Sequence, residues 1–379
     1  MYQRYLKIDI LQSMAGIYIH IPFCKSRCRY CDFFSTTQLD KQQAYINAVI
    51  KEWEKRKEQW LADSDKKTIR TIYIGGGTPS LLPIDNLQKL LQAIFSSIDT
   101  TTIEEITLEA NPGDFTAEKV RAWQQIGINR LSIGIQSFQN RLLQLIGRRH
   151  DNTQVKQAIA MAQNEGITNI SIDLMYALPT QTMEEWKTDI EEALRLEVPH
   201  ISTYGLIYEE GTPLFHMLEN GEIEVTEENE EIQMYDYLVR ELTNHGYEHY
   251  EVSNFALPNK YSRHNSSYWN NTAYLGLGAG AHSYDGESRW WNITDIDKYI
   301  EQANNNTILA ERELLTEEQH HTEQIMLGLR TNRGIPTKII DIEKAKKYIH
   351  QGLLKQVGEN IVATTEGFHI LNRIIEDLI

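Results

Sequence analysis

Short β-rich runs alternate with longer stretches of helical periodicity along the first half of the chain. Apolar and β-branched residues predict strands over 17–21, 69–74, 103–110, 131–136, 170–177 and 201–208. Apolar positions three and four residues apart predict helices over 40–60, 86–96, 117–126, 153–165 and 184–196. Strands that alternate with helices in this way indicate a parallel sheet of right-handed βα units, either an open sheet or a partial barrel.

Polar residues and glycines stand where several of these predicted strands end. The second strand runs into Gly75-Gly76-Gly77-Thr78-Pro79, and Glu109 and Gln136 end the third and fourth strands. Parallel α/β sheets bind ligands at the carboxyl ends of their strands. A glycine turn lets a charged ligand approach the backbone, although a tight turn alone needs the same residues.

Asp173 lies inside the fifth predicted strand, which should be buried on both faces. A carboxylate there is costly unless it is paired, so Asp173 and Glu109 each belong either to a structural ion pair or to a ligand site.

The pattern changes after residue 208. A Glu-rich run over 222–231 predicts a helix that Thr226 caps, with Met234, Tyr237, Leu238 and Leu242 facing the core. Further on, Thr316 and Gln319 form a predicted capping box, a helix follows over 342–354, and a short hairpin near 361–367 precedes a last helix. We therefore expect an α/β unit over 1–215, an α+β extension over 216–310, and a small winged-helix-like domain over 311–379.

Composition narrows the classes of partner. The 379 residues are 41% hydrophobic and carry a net charge of -16, which disfavours a surface for nucleic acid or anionic lipid. The winged-helix-like segment holds nine basic and eleven acidic residues, a net charge of -2, and so lacks a basic face for DNA. Neither a long apolar run nor a signal-peptide pattern occurs, so we expect a cytoplasmic protein.

All cysteines of the chain, Cys24, Cys28 and Cys31, fall within eight positions. An odd number of clustered cysteines does not form a disulfide framework, and the alternative is three buried thiols that pack as small apolar groups. Structural zinc normally takes four protein ligands, whereas three thiolates on a 4Fe-4S cluster leave one iron open. The spacing therefore favours a metal or cluster site.

The C-x3-C-x2-C spacing after a strand resembles the signature of the radical S-adenosylmethionine (SAM) superfamily. Further motifs, in the expected order, resemble its oxygen-independent coproporphyrinogen III oxidase group: Tyr18-Ile-His-Ile-Pro-Phe-Cys24, Gly75-Gly-Gly-Thr-Pro-Ser80, Leu108-Glu-Ala-Asn-Pro112, Ser132-Ile-Gly-Ile-Gln-Ser-Phe138 and Ile172-Asp-Leu-Met-Tyr-Ala-Leu-Pro179. The resemblance implies a partial (β/α)6 barrel, a 4Fe-4S cluster on the three cysteines, and SAM on the open iron. The residues it implies for SAM are Tyr18, Gly76, Gly77, Thr78, Glu109, Gln136, Arg148 and Asp173.

A second motif, His264-Asn265-x-x-Tyr268-Trp269, has the chemistry to hold haem, because imidazole ligates iron and aromatic rings cover a macrocycle. Packing alone also accounts for such residues. The motif resembles the signature of the haem-chaperone branch of the group, HemW, and the resemblance implies that these four residues bind haem.

Phe33 separates the two leading functions. The true oxidase has a fourth cysteine two positions after the third, where this chain has Phe33. We therefore expect a haem chaperone that serves an unidentified acceptor protein, without coproporphyrinogen oxidase activity and with membrane contact only through the acceptor. The alternatives are the oxidase itself and another radical SAM enzyme. A catalytic version would need a flavodoxin-type reductant.

Overall fold

A twelve-stranded sheet forms the centre of the fold in the computed structural model, which describes residues 14–62, 68–307 and 310–379. Its strands are β1 (Met14–Ile21), β2 (Thr68–Gly76), β3 (Glu105–Ala110), β4 (Arg130–Gln136), β5 (Asn169–Tyr176), β6 (His200–Gly205), β7 (Glu248–Glu251), β8 (Asn254–Ala256), β9 (Tyr274–Leu277), β10 (His282–Tyr284), β11 (Ser288–Asn292) and β12 (Ala310–Leu314). A separate small sheet holds β13 (Ile335–Pro336), β14 (Leu354–Val357) and β15 (Asn360–Ala363).

The helices cover the outer face of the large sheet and build the C-terminal unit. They are α1 (Gln42–Ala62), α2 (Ile84–Phe95), α3 (Ala117–Gln125), α4 (Asn140–Leu145), α5 (Asn152–Asn164), α6 (Met183–Arg195), α7 (Pro213–Glu219), α8 (Glu228–Asn244), α9 (Arg263–Trp269), α10 (Ile296–Asn304), α11 (Glu317–Gly328), α12 (Ile342–His350), α13 (Thr365–His369) and α14 (Leu371–Leu378). Among the described residues, none of these helices is long and apolar enough to cross a membrane.

Strands β1 to β6 are parallel and stand side by side in chain order, which confirms the predicted sheet of βα units. Alternate residues of β1, such as Ile17 and Ile19, are fully buried in the main core. Side chains from β2 to β6 line one cavity, so the sheet curves around it as a partial barrel does. This curvature brings the strand ends together.

The α+β extension continues the same sheet at both edges. Strand β9 pairs parallel with β1, followed by antiparallel β10, β11 and β12, while β8 pairs antiparallel with β6 and carries β7 outside it. Helix α9, which carries the predicted haem motif, lies between β8 and β9 in the chain and contacts β2. The extension therefore places this motif against the parallel strands.

Several predicted boundaries are wrong. Helix α8 begins at Glu228 after Glu227, so Thr226 is not its cap. Met234, Leu238 and Leu242 are buried as predicted, Tyr237 packs half-buried against the core, and Tyr235 is buried as well. Strand β6 ends at Gly205, and Ile207 beyond it is 68% exposed. Helix α12 ends at His350, because Gly352 at φ 75° turns the chain into β14.

The C-terminal residues form a core of their own. Apolar side chains of α11, α12 and α14 pack with the small sheet in a cluster that includes Ile325, Tyr348 and Ile374. The predicted capping box is confirmed, because Gln319 and Thr316 exchange hydrogen bonds at the start of α11. The hairpin spans 354–363, earlier than the sequence predicts.

Candidate functional site

A cavity of about 470 Å³ lies at the carboxyl ends of the parallel strands. Most of the predicted site residues line it, namely Cys24, Cys28, Cys31, Gly76, Gly77, Thr78, Glu109, Gln136, Arg148, Asp173 and Asn265. They come from β2 to β5, from the loops after β1 and β2, from the loop between α4 and α5, and from helix α9. The parallel topology therefore gathers residues that the chain separates.

The cysteines lie on the loop that follows β1. The backbone of Cys24 donates to the carbonyl of Thr36 at 2.8 Å, and that of Cys31 donates to Cys28 at 3.3 Å. The amide of Arg29 donates to the carbonyl of Ile146 at 3.0 Å, which fixes the middle of the loop. All three thiols are free, with Cys24 buried and the other two half-buried at the cavity.

The donor set fits an iron–sulfur cluster better than a single metal ion. Among the described residues, no three His, Cys, Asp or Glu side chains converge on one ion position. A 4Fe-4S cluster needs no such convergence, because each thiolate binds a different iron. Arg148 Nη1 lies 3.5 Å from Cys28 Sγ, where its positive charge suits thiolate ligands.

Gly77 explains why the glycine turn lies against the cysteine loop. A Cβ on Gly77 would lie 2.9 Å from the Phe23 carbonyl oxygen and 3.0 Å from Cys24 Sγ. The absence of a side chain lets the turn approach the loop this closely. Next to it, Thr78 Oγ1 donates to Cys24 Sγ at 3.5 Å.

Glu109 provides a carboxylate to the cavity, next to the glycine turn. Its oxygens accept from Tyr73 Oη at 2.8 Å and from the Gly76 amide at 2.9 Å. Burial nevertheless dominates and raises the pKa of Glu109 to about 7. The group therefore changes charge near neutral pH, at a position where a cationic ligand would hold it ionised.

Gln136 and Asp173 lie on neighbouring strands. The pairing of β4 with β5 shifts register between Gly134 and Gln136, and Gln136 takes the left-handed conformation at φ 68°. Such a bulge redirects a side chain, here into the cavity. Asp173 Oδ1 accepts from Ser132 at 3.4 Å, and burial raises the pKa of this carboxyl, with Arg130 opposing the shift.

Tyr18, His264, Tyr268 and Trp269 do not line this cavity. Tyr18 stacks on Tyr73 at 6.2 Å between ring centres and bonds His20 Nδ1 at 3.0 Å, so it supports the wall from behind. Only Asn265 of the predicted haem motif reaches the cavity.

His264 is fully buried and both its ring nitrogens are occupied. Nδ1 lies 2.8 Å from Thr71 Oγ1, and Nε2 lies 2.8 Å from Tyr268 Oη. Burial lowers the pKa of His264 to about 3, so the ring is neutral. Neither nitrogen is available to iron in this conformation.

The start of helix α9 is also held by a buried carboxylate. Glu105 accepts from the backbone amides of Arg263 and His264, each at 3.0 Å. Gly16 lies against the ring, since a Cβ there would lie 3.0 Å from His264 Cε1. The motif helix is therefore anchored to β1, β2 and β3.

The sequence interpretation missed several residues that line the cavity, among them Tyr73, Arg149, Ser132 and Tyr204. Tyr73 stands two residues before Gly75 on β2, so strand alternation places it on the ligand face. This signal was present, but a tyrosine within a strand is more often a packing residue. At the mouth, Phe33 is 70% exposed.

Comparisons with known proteins agree with this geometry. Residues 18–193 match the model of the radical SAM superfamily. The heme chaperone HemW of Lactococcus lactis is 37% identical over 97% of this chain and 98% of its own. The heme chaperone HemW of Bacillus subtilis is 37% identical over 86% of each chain.

Among solved structures, the radical SAM enzyme coproporphyrinogen III oxidase (HemN) from Escherichia coli superposes with a TM-score of 0.82. The match covers 99% of this chain and 92% of that one at 20% identity, and so shows a common fold. The 37% identity to the L. lactis heme chaperone HemW, along 97% of this chain, by contrast shows the family. The chain belongs to the HemW family of the radical SAM superfamily.

Proposed function

We propose that this protein binds haem and transfers it to an acceptor protein. The observation that carries the proposal is 37% identity to the heme chaperone of L. lactis along 97% of the chain. Phe33 supports it, because an exposed phenyl ring stands where the oxidase resemblance implies a fourth thiol.

We further propose that Cys24, Cys28 and Cys31 hold the 4Fe-4S cluster of the superfamily, with SAM on the open iron. A reduced cluster of this kind supplies an electron that can cleave the sulfonium of SAM. The glycine turn at Gly76, Gly77 and Thr78 would hold the amino group of SAM together with Glu109. Gln136, Arg148 and Asp173 offer further polar contacts within the cavity.

For haem, we propose that the motif helix α9 borders the site and that His264 positions this helix. Asn265, Tyr268 and Trp269 are half-buried, so their side chains present surface to a ligand. His264 would ligate iron only after it releases Thr71 and Tyr268.

We propose three further properties of this function. Any membrane contact is made by the acceptor protein. A flavodoxin-type protein supplies the electrons where SAM is cleaved, and the protein acts in the cytoplasm.

Titration of the anaerobically reconstituted protein with haem tests the main proposal. We expect a saturating shift of the haem absorption band at about one haem per chain. Incubation with coproporphyrinogen III, SAM and reductant should leave the tetrapyrrole unchanged. Failure to bind haem would remove the chaperone function, and a vinyl-bearing product would establish the oxidase instead.

SAM affinity should depend on pH through Glu109. Because the pKa of Glu109 is about 7, the carboxylate that attracts the ammonium group forms as pH rises through that value. Affinity should therefore rise severalfold from about pH 6 to about pH 7, which lies below the pKa of about 8 of an α-amino group. Glu109→Gln should bind SAM more weakly and with a flat profile over this range. Calorimetric titration at several pH values measures both, and an equally steep rise in Glu109→Gln would assign the dependence to another group.

A further inference from the structure

A second cavity, of about 520 Å³, lies at the amino ends of β1 and β2, away from the cysteine loop. Its walls come from both ends of helix α9, from the loop before it, and from the loop before β13. The lining residues that matter most are Arg70, Arg263, Arg333, Glu104, Ser266 and Asn270. None of these residues belongs to the cluster site.

Positive charge exceeds negative charge in this cavity. Arg70 and Arg263 both bond to Glu104, so one carboxylate serves two guanidinium groups. Arg333 Nη1 donates to the amide oxygen of Asn270 at 2.7 Å, a neutral acceptor. The other lining acid, Glu248, accepts from Tyr261 Oη. Three lining guanidinium groups against two lining carboxylates leave a surplus of one positive charge, in a chain whose net charge is -16.

Hydroxyl groups stand beside these guanidinium groups. Arg70 Nε is buried without a partner in the described part of the chain and does not reach the cavity surface, whereas 34% of the Arg70 side chain is exposed. Ser266, Ser267 and Thr272 add hydroxyl groups to the wall.

The chemistry of this wall selects its ligand. Guanidinium groups with hydroxyl and amide donors match the oxygens of a carboxylate or phosphate. Apolar groups of Ala15, Pro258 and Tyr261 also line the wall. The arginines therefore suit the charged edge of a ligand, and the rest of that ligand can be apolar.

Helix α9 connects this cavity with the haem motif. Arg263, Ser266, Ser267 and Asn270 recur three and four residues apart and line the cavity, while His264 and Tyr268 point to the opposite side of the helix. Thr71 contributes both to the cavity wall and to the bond with His264 Nδ1. An occupant of the cavity would thus contact the same helix that the motif occupies.

We propose that this amino-end cavity binds an oxyanion through Arg70, Arg263 and Arg333. The oxyanion belongs either to the propionate edge of haem or to a free phosphate. The haem source rests on the proposed function, whereas the phosphate source does not.

The experiment titrates the reconstituted full-length protein with haem, with haem dimethyl ester and with inorganic phosphate. The variants are Arg333→Gln and Arg263→Gln, with Arg333→Lys to restore the charge. Arg121→Gln is the matched control, because Arg121 is an exposed arginine on α3 that pairs with Glu165 outside the cavity. Thermal unfolding of each variant checks that it is folded.

If propionates bind here, each glutamine variant should weaken haem binding about tenfold and leave the dimethyl ester unchanged, since each loses one charge-assisted hydrogen bond. If phosphate binds here, its binding should weaken about tenfold in the same variants while haem binding stays constant. Arg333→Lys should recover part of either loss, and Arg121→Gln should match the wild type.

The oxyanion site would be overturned if both glutamine variants bound haem as tightly as the wild type does and also bound phosphate as tightly as the wild type does. A wild type that binds phosphate but no haem, with phosphate binding weakened in the glutamine variants, would overturn the proposed function and support this site. A wild type that binds neither ligand would overturn both.

Discussion

Replacement of Cys24 by alanine should reduce bound iron from about four atoms per chain to near zero and abolish the iron–sulfur absorbance. The same result is expected for Cys28 and Cys31, because three protein thiolates already leave one iron without a protein ligand. The described residues include no further cysteine and no converging group of His, Asp or Glu side chains that could replace a lost thiolate. Loss of one ligand should therefore destroy the cluster rather than weaken it.

Ser26→Ala is the matched control for this experiment. Ser26 lies on the same loop, lines the same cavity and is exposed, so its replacement disturbs the loop without removing a thiol. Iron content and absorbance after anaerobic reconstitution should match the wild type. If any single cysteine variant retained full iron content, the ligand assignment would be wrong for that residue.

The cysteine loop and the strand-end residues were predictable because their signals are local. The β-rich runs, the glycine turn and the spacing of Cys24, Cys28 and Cys31 are each contained in a few residues. The parallel topology then brings the strand-end residues together, because consecutive parallel strands end at the same edge of the sheet. Glu109, Gln136 and Asp173 meet for this reason.

The position of the extension was not predictable, because pairing between distant strands leaves no trace in local periodicity. Nothing in Tyr274–Leu277 indicates that β9 pairs with β1. The environment of His264 depends on that pairing, as its partners Thr71 and Glu105 stand over 150 residues earlier. The sequence therefore suggested a ligand-binding histidine where the structure places a buried, fully bonded one.

The exposure of Ile207 and Phe33 was also not predictable from the sequence. Ile207 falls within the strand predicted over 201–208, yet it lies beyond the end of β6 and is exposed, and Phe33 on the cysteine loop is exposed as well. Isolated exposed apolar residues are common on protein surfaces. Only the fold shows that these two border the same cavity.

Removal of the His264 side chain should lower the free energy of unfolding by about 3 kcal/mol. His264→Ala would leave a cavity in the core and remove the partner of two buried hydroxyl groups, those of Thr71 and Tyr268. Tyr268→Phe removes only one of these bonds and should cost about 1 kcal/mol. The exposed His321 on α11 is the control, and His321→Ala should change stability by less than about 0.5 kcal/mol. Urea unfolding monitored by circular dichroism measures all three.

Haem titration of the same variants decides what His264 does. If the residue positions helix α9, His264→Ala should weaken haem binding only as far as it destabilises the fold. Tyr268→Phe should then lose less haem affinity and less free energy of unfolding than His264→Ala. If His264 ligates iron after releasing its partners, Tyr268→Phe should bind haem more tightly, because one bond that holds the imidazole is gone. His264→Ala would then lose the absorption shift of imidazole-bound haem to an extent that its lower stability does not explain. The buried geometry predicts the first pattern, since both ring nitrogens are already bonded within the protein.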